Sequence, residues 1–280
     1  MKFTKIRIAL ITALIMSVLV SCENFLNNNN NEGSGNLKIS ITDAPFPLDI
    51  IESANVVITK IEVHAVNDTS GSPFTVVMED TVEFNLLDLR NGVTAEVVYT
   101  DLPAGAYDQV RLYVDSASIT LVGGISFELK VPSGSQTGIK LKIDPAITIA
   151  GGELSELLLD FDIEKSFVLK GNMNTPAGIK GFNFKPVIRV CNHTVSGKLE
   201  GMVSDTAEMA LEYAQVWIES DTVVATAYTD STGYYAIPGI LEGSYDFFAT
   251  LENYDTVMVG GIEIVAGNTT MQDAVLTPAE

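Results

Sequence analysis

From Leu37 onward, apolar and polar side chains alternate with a period of two. The clearest runs are Leu37–Thr42 (LKISIT), Asn55–His64 (NVVITKIEVH), Gln109–Val114, Gly138–Ile143 and Val187–Val190. A strand sends successive side chains to opposite faces, so each run predicts a β-strand with one buried face. Turn-forming residues break the runs at short intervals: Asn91-Gly92, Pro103-Ala104-Gly105, Gly123-Gly124, Pro132-Ser133-Gly134 and Gly151-Gly152. Many short alternating strands divided by Gly and Pro turns predict an all-β architecture of sandwiches or barrels. No long stretch follows the helical period. The helical candidates are a turn or two near Pro47–Ser53 and near Leu86–Leu89.

The first 35 residues obey a different logic. Lys2, Lys5 and Arg7 precede an apolar run of 13 residues, Ile8 to Val20. That run is too short to cross about 30 Å of hydrocarbon at 1.5 Å per residue, and it reads as the apolar region of an export signal. It ends in Leu19-Val20-Ser21-Cys22, which resembles the bacterial lipobox. The resemblance implies cleavage after Ser21 and lipid on Cys22, the expected membrane attachment. Residues 1–21 are thus a lipoprotein signal peptide. Residues 22–35 are a lipidated Cys and flexible tether, for Glu23–Gly35 contains five consecutive Asn and nothing able to form a core. A coil of that length reaches about 20 Å. In Bacteroidota-type lipoproteins, acids directly after the Cys accompany surface export. Here only Glu23 and Glu32 are acidic, leaving the periplasmic and surface faces of the outer membrane both open. Cys191 then has no intramolecular partner, so no disulfide framework is expected. One Cys beside His193 is too little for a metal or thiol-catalytic site.

Charge divides the remainder. The chain carries 16 basic and 36 acidic side chains, net −20; without residues 1–21, 36 acids face 13 bases, net −23. Nucleic acid is excluded as a partner, since it requires a cationic face. Beyond Asn192-His193-Thr194, 14 acids face the single base Lys198, whereas 22 acids face 12 bases between residues 23 and 194. This shift predicts two β-sandwich domains, residues 36–192 and 195–280.

The second domain carries Gly201-Met202-Val203, Ala214-Gln215-Val216-Trp217-Ile218, Thr229-Asp230-Ser231-Thr232-Gly233-Tyr234-Tyr235 and Leu241-Glu242-Gly243-Ser244-Tyr245. In order and spacing these resemble the carboxypeptidase regulatory-like domain, which implies a transthyretin-like, carbohydrate-binding-like seven-stranded sandwich without catalytic groups. The first domain carries Thr42-Asp43-Ala44-Pro45, Leu102-Pro103-Ala104-Gly105-Ala106-Tyr107, Val131–Lys140 and Leu159-Asp160-Phe161-Asp162. It resembles a family of bacterial lipoprotein domains of unknown function, often followed by a regulatory-like domain. That resemblance implies architecture and address, with no activity. Gly-x-Tyr recurs at Gly105/Tyr107 and Gly243/Tyr245, a hint of related sandwich logic.

Catalytic and cofactor motifs are missing: there are two His, His64 and His193, and no nucleophile elbow, His-Glu-x-x-His or phosphate loop. No enzyme and no cofactor are expected. Asp160, Asp162 and Glu164 alternate with Phe161 and Ile163, which on a strand puts three carboxylates on one face. They read as a solvated or ion-paired face, with Lys140 and Lys142 as cations, as a calcium site, or as glycosidase-like acids. Asp43, before Ala44-Pro45, reads as a turn former. If Ala214, Val216 and Ile218 face inward, Trp217 faces out; Tyr234 and Phe248 point away from inward Tyr235 and Phe247. Trp217, Tyr234 and Phe248 are therefore the candidate ligand platform for a glycan or peptide, unless they pack on the first domain or a sheet edge. Lys198 with Asn253 or Asn268 has an order that would suit an isopeptide bond. The expected function is an exported, lipid-anchored, non-enzymatic binder of carbohydrate, peptide or a partner protein at the cell envelope. The alternative is a structural or assembly lipoprotein without a small ligand.

Overall fold

The computed structural model describes residues 33–44, 50–66, 73–131, 136–172 and 178–279. The leader, Cys22 and the Asn-rich stretch lie outside the described residues. Gly33–Glu280 forms one unit, and its buried apolar side chains gather into two separate cores. Among the described residues no helix is long and apolar enough to cross a membrane. The fold is all-β.

The first core is enclosed by β1 (Ser34–Ala44), β2 (Ile51–Ala65), β3 (Phe74–Met78), β4 (Val82–Asn85), β5 (Ala95–Pro103), β6 (Gly105–Leu121), β7 (Ile125–Leu129), β8 (Ile139–Ile149), β9 (Leu154–Asp162), β10 (Phe167–Gly171), β11 (Ile179–Phe184) and β12 (Ile188–Asn192). One sheet runs β12-β9-β1-β5; a second runs β3-β2-β6-β7, with β4 also on β2 and β8 also on β6; β10 and β11 form a two-stranded third. Strand β1 pairs antiparallel with β5 and parallel with β9. The period-two pattern dictates the faces: Leu37, Ile39 and Ile41 point into the core with Val56, Ile58, Val110 and Leu112 of the opposing sheet. Each such side chain, fully buried, contributes about 1.5–3 kcal/mol.

The two helical candidates part ways. Leu86–Leu89 is a 3-10 turn, because Asn85 Oδ1 accepts from Leu87 N (3.3 Å) and Ala54 N (3.1 Å), tying the turn to β2. Of the other candidate, residues 47–49 lie outside the described residues, and Ile51–Ser53 begins β2 and pairs with Thr120 and Leu121 of β6. Ladder hydrogen bonds there outweigh the local pattern.

The second core lies between β13 (Ser196–Asp205), β16 (Tyr234–Leu241), β19 (Thr269–Met271) and β20 (Ala274–Leu276) on one side, and β14 (Gln215–Glu219), β15 (Val223–Tyr228), β17 (Gly243–Thr250) and β18 (Val257–Ile264) on the other. The latter sheet runs β15-β14-β17-β18. Ala214, Val216, Ile218, Tyr235 and Phe247 are buried between the sheets. Both bodies share one corner. Tyr107 Oη donates to Pro103 O, and Tyr245 Oη donates to Leu241 O, each at 3.0 Å and each four residues back. The recurring Gly-x-Tyr thus builds the same hydrogen-bonded strand entry twice, as in the tyrosine corner of sandwiches.

A clasp fixes one body on the other. Arg189, on β12, donates from Nε (3.1 Å) and Nη2 (2.7 Å) to Asp160 Oδ2 on β9. It also donates to the carbonyls of Gly239 (2.9 Å) and Pro238 (3.1 Å) in the second body. Gly239 has φ +68°, and a Cβ there would lie 2.7 Å from Cys191 Cβ and Sγ, so only glycine seats this contact. Cys191 is free and buried beneath it, and burial pushes its thiol up to about 11.

Candidate functional site

The outer face of β15-β14-β17-β18 is built by alternation. With Val216 and Ile218 inward, Gln215, Trp217 and Glu219 face out, and the register sets their neighbours. Trp217 lies opposite Thr226 on one side and Phe248 on the other, and Phe248 lies opposite Met258. The Trp217 and Phe248 rings stack with centroids 5.0 Å apart and planes 5° off parallel. Both are half-buried, and Met258 is 58% exposed. The stack fixes each ring in one orientation and contributes about 0.5–1.5 kcal/mol beyond burial. A second row crosses the same face: Tyr228, Gln215 and Thr250. Glu219 and Asp246 form a carboxylate pair on the far side of the Trp217–Phe248 row. Alternation along Val223–Tyr228 carries the signal for Tyr228, and the register adds Met258; neither stands out as a motif.

Tyr234 does not join this group. It points outward, but on the opposite sheet, because β16 pairs with β13. There its hydroxyl donates to Glu200 Oε2 at 2.9 Å, and Lys198 Nζ donates to Tyr234 Oη at 3.4 Å. Burial and the Glu200 bond raise the Tyr234 phenol above its ordinary value. Although burial opposes it, Glu200 and Tyr234 hold the Lys198 ammonium above its usual range. That ammonium is paired with Glu200 and makes no hydrogen bond to Asn253 or Asn268, whereas Lys198 N donates to the Asn268 carbonyl.

The three carboxylates also separate. Asp160 and Asp162 share a face of β9, but Asp162 caps a helical turn, Ile163–Ser166, accepting from Lys165 N at 2.9 Å. Glu164 therefore leaves the strand face and reaches Tyr228 Oη of the second body at 3.4 Å. Burial, followed by Glu164, pushes the Tyr228 phenol up to about 12. The cations are Arg189 for Asp160 and Lys165 for Asp162, not Lys140 and Lys142; Lys142 pairs with Asp144 on its own strand. Burial raises the Asp160 carboxyl, and Arg189 opposes this. Among the described residues no group of His, Cys, Asp and Glu is arranged to hold a metal ion. Asp43 is a strand residue and not a turn former. It is 3% exposed, and both its carboxylate oxygens are buried. Its pKa lies well above the usual carboxyl range, because it is desolvated and Asp160 is near.

Comparison with known families matches residues 34–186 to a domain of unknown function, DUF4382. The chain belongs to the DUF4382 family. In this DUF4382 protein, residues 198–277 match the carboxypeptidase regulatory-like domain. No curated protein matches. Among solved structures, a type II cohesin–X-dockerin complex from Acetivibrio cellulolyticus is 19% identical, TM-score 0.24, covering 29% of this chain and 56% of that one. The Bacillus anthracis TIE protein is 16% identical, TM-score 0.25, covering 88% of this chain and 34% of that one. The shaft pilin SpaA from Lactobacillus rhamnosus GG is 10% identical, TM-score 0.25, covering 88% and 98%. The DUF4382 chain thus spans only about half and a third of the first two chains. With scores this low, its all-β character rests on its own strands.

Proposed function

We propose that this protein is an exported, lipid-anchored β protein that binds carbohydrate at the cell envelope and catalyses no reaction. The observation that carries the reading is the Trp217–Phe248 stack, preorganised on an outward sheet face. Flat aromatic surface packs against the C–H faces of sugar rings, and the flanking Gln215, Glu219 and Asp246 offer partners for hydroxyl groups. Preorganised rings lose little freedom on binding, which favours affinity. The address is supported by Lys2, Lys5, Arg7, the apolar run and Leu19-Val20-Ser21-Cys22. Lipid on Cys22 and the tether would hold an acidic body off an anionic membrane, with the lipid as its attachment.

Two experiments test the parts separately. Fatty-acid labelling should be lost in Cys22→Ala; a variant still labelled refutes lipidation at that position. Retention on a glycan array should be abolished in Trp217→Ala, while thermal unfolding stays cooperative. An array profile unchanged by the substitution refutes the platform.

A further inference from the structure

The platform does not end at Trp217. Tyr228 lies on the same outer face, one strand across and two residues along from Trp217, a diagonal of roughly 7–8 Å. Tyr228 is also in the wall of a cleft of about 430 Å³ between the two bodies. From the first body come Asp88, within the Leu86–Leu89 turn, and Arg90 and Asn91 just after it; from the second come Glu212, Tyr213 and Tyr228. That volume is in the range of small-ligand sites, which favour domain junctions.

Two features of the cleft wall are costly unless used. Tyr213 has φ +60°, a left-handed conformation rare for a bulky side chain. It is pinned from both sides: Tyr213 N donates to Thr229 O at 3.0 Å, Thr229 N donates to Ala214 O at 3.0 Å, and Ala214 N donates to Thr229 Oγ1 at 2.8 Å. Strain held this firmly collects at binding sites. Opposite it, the Asn91 amide oxygen is buried without a hydrogen-bond partner, in a residue itself at φ +53°. The Tyr228 hydroxyl, donating to Glu164 Oε2 of the first body at 3.4 Å, ties one wall across the junction.

We infer that the cleft and the platform form one continuous track for an uncharged, linear oligosaccharide, running from Tyr213 through Tyr228 to Trp217 and Phe248. This rests on the carbohydrate-binding reading of the Trp217–Phe248 face. The lining selects the ligand's charge. Asp88, Glu212, Glu219 and Asp246 repel uronates, sulfates and phosphates, yet accept from hydroxyl groups. Arg90 donates to Leu87 O through Nε and has guanidinium N–H groups to spare for a ligand oxygen. A ligand needing both donors and acceptors along an aromatic floor is a neutral sugar chain.

The test uses the full chain in detergent, titrated calorimetrically with uncharged gluco-, xylo- and manno-oligosaccharides of two and six units. Six-unit chains should bind at least about tenfold more tightly than two-unit chains of the preferred sugar. Tyr213→Gly removes the ring and suits the backbone angle; Tyr228→Ala is the second variant. Each should erase most of the gain from chain length and weaken two-unit binding far less than six-unit binding. Trp217→Ala should remove both. A chain-length gain intact in both tyrosine variants, with binding lost in Trp217→Ala, overturns the track and leaves the platform standing. Binding unaffected by Trp217→Ala overturns both. Tighter binding of six-unit uronates or of lysine-rich peptides than of any neutral sugar overturns the ligand class.

Discussion

Loss of the Arg189 side chain should be felt in both bodies. Its guanidinium makes two bonds to Asp160 and one each to the carbonyls of Gly239 and Pro238. Arg189→Met keeps most of the apolar stem but leaves the Asp160 carboxylate, whose side chain is 13% exposed, without its cation. Two carbonyls at the junction also lose a charged donor. Breaking a buried pair from one side costs about 3–5 kcal/mol. Because the Arg189 side chain keeps 28% of its surface exposed, water replaces part of the loss, and the lower end of about 3 kcal/mol is expected. The assay is urea unfolding with two probes. Trp217 is the chain's one tryptophan, so its emission reports the second body alone, while far-ultraviolet circular dichroism reports both. The wild-type curves should coincide. In Arg189→Met they should separate and shift to lower urea, and adding Asp160→Asn should recover part of the loss by removing the stranded charge. Coincident curves with a midpoint cost below about 1 kcal/mol would refute the clasp.

Further expectations follow from the same geometry. Gly239→Ala should destabilise by about 1–3 kcal/mol through its clash with Cys191, and Cys191→Gly should relieve part of that; equal midpoints for wild type and Gly239→Ala in urea would count against it. Cys191, its thiol pushed up to about 11, should resist Ellman's reagent in native Cys22→Ala protein at about pH 8 and react fully in urea. Asp43 has a native pKa raised by burial and then by Asp160, so folding binds a proton there. Its stabilising contribution is complete below the ordinary carboxyl pKa and is lost as pH rises through the native value. Asp43→Asn should therefore raise the melting temperature at neutral pH and change it little near about pH 3; a gain independent of pH would contradict this. Glu62 runs the other way. Burial raises its pKa, but bonds from Lys60 and Tyr113 and the Arg111 charge outweigh this and lower it. Its contribution is present above the ordinary carboxyl pKa and lost as pH falls through the native value, so Glu62→Gln should cost stability at neutral pH and progressively less in acid.

Strand faces were legible wherever one face is buried. Leu37, Ile39 and Ile41, or Ala214, Val216 and Ile218, declare their side by alternation, and the core obeys. What alternation cannot declare is which sheet a strand enters. Tyr234 and Trp217 both point outward, yet β16 pairs with β13 and β14 pairs with β17, so the two side chains lie on opposite sides of the second sandwich. Long-range pairs were hidden for the same reason. Asp160 meets Arg189, 29 residues away, because β12 returns alongside β9, and Asp43 is buried because β1 lies parallel to β9. Glu164 leaves the strand face for a local reason: Asp162 has the side chain of a helix cap, and one cap followed by Lys165 is enough to end the strand.

The most direct test of carbohydrate binding at the Trp217–Phe248 face is again the emission of Trp217. No other tryptophan dilutes the signal, and the ring stacked on Phe248 is the proposed contact. Titration of the full chain with the neutral oligosaccharides named above should shift and saturate that emission for at least one sugar, with the same half-point as calorimetry. Saturable binding by calorimetry with unchanged Trp217 emission would place the ligand elsewhere and contradict the account.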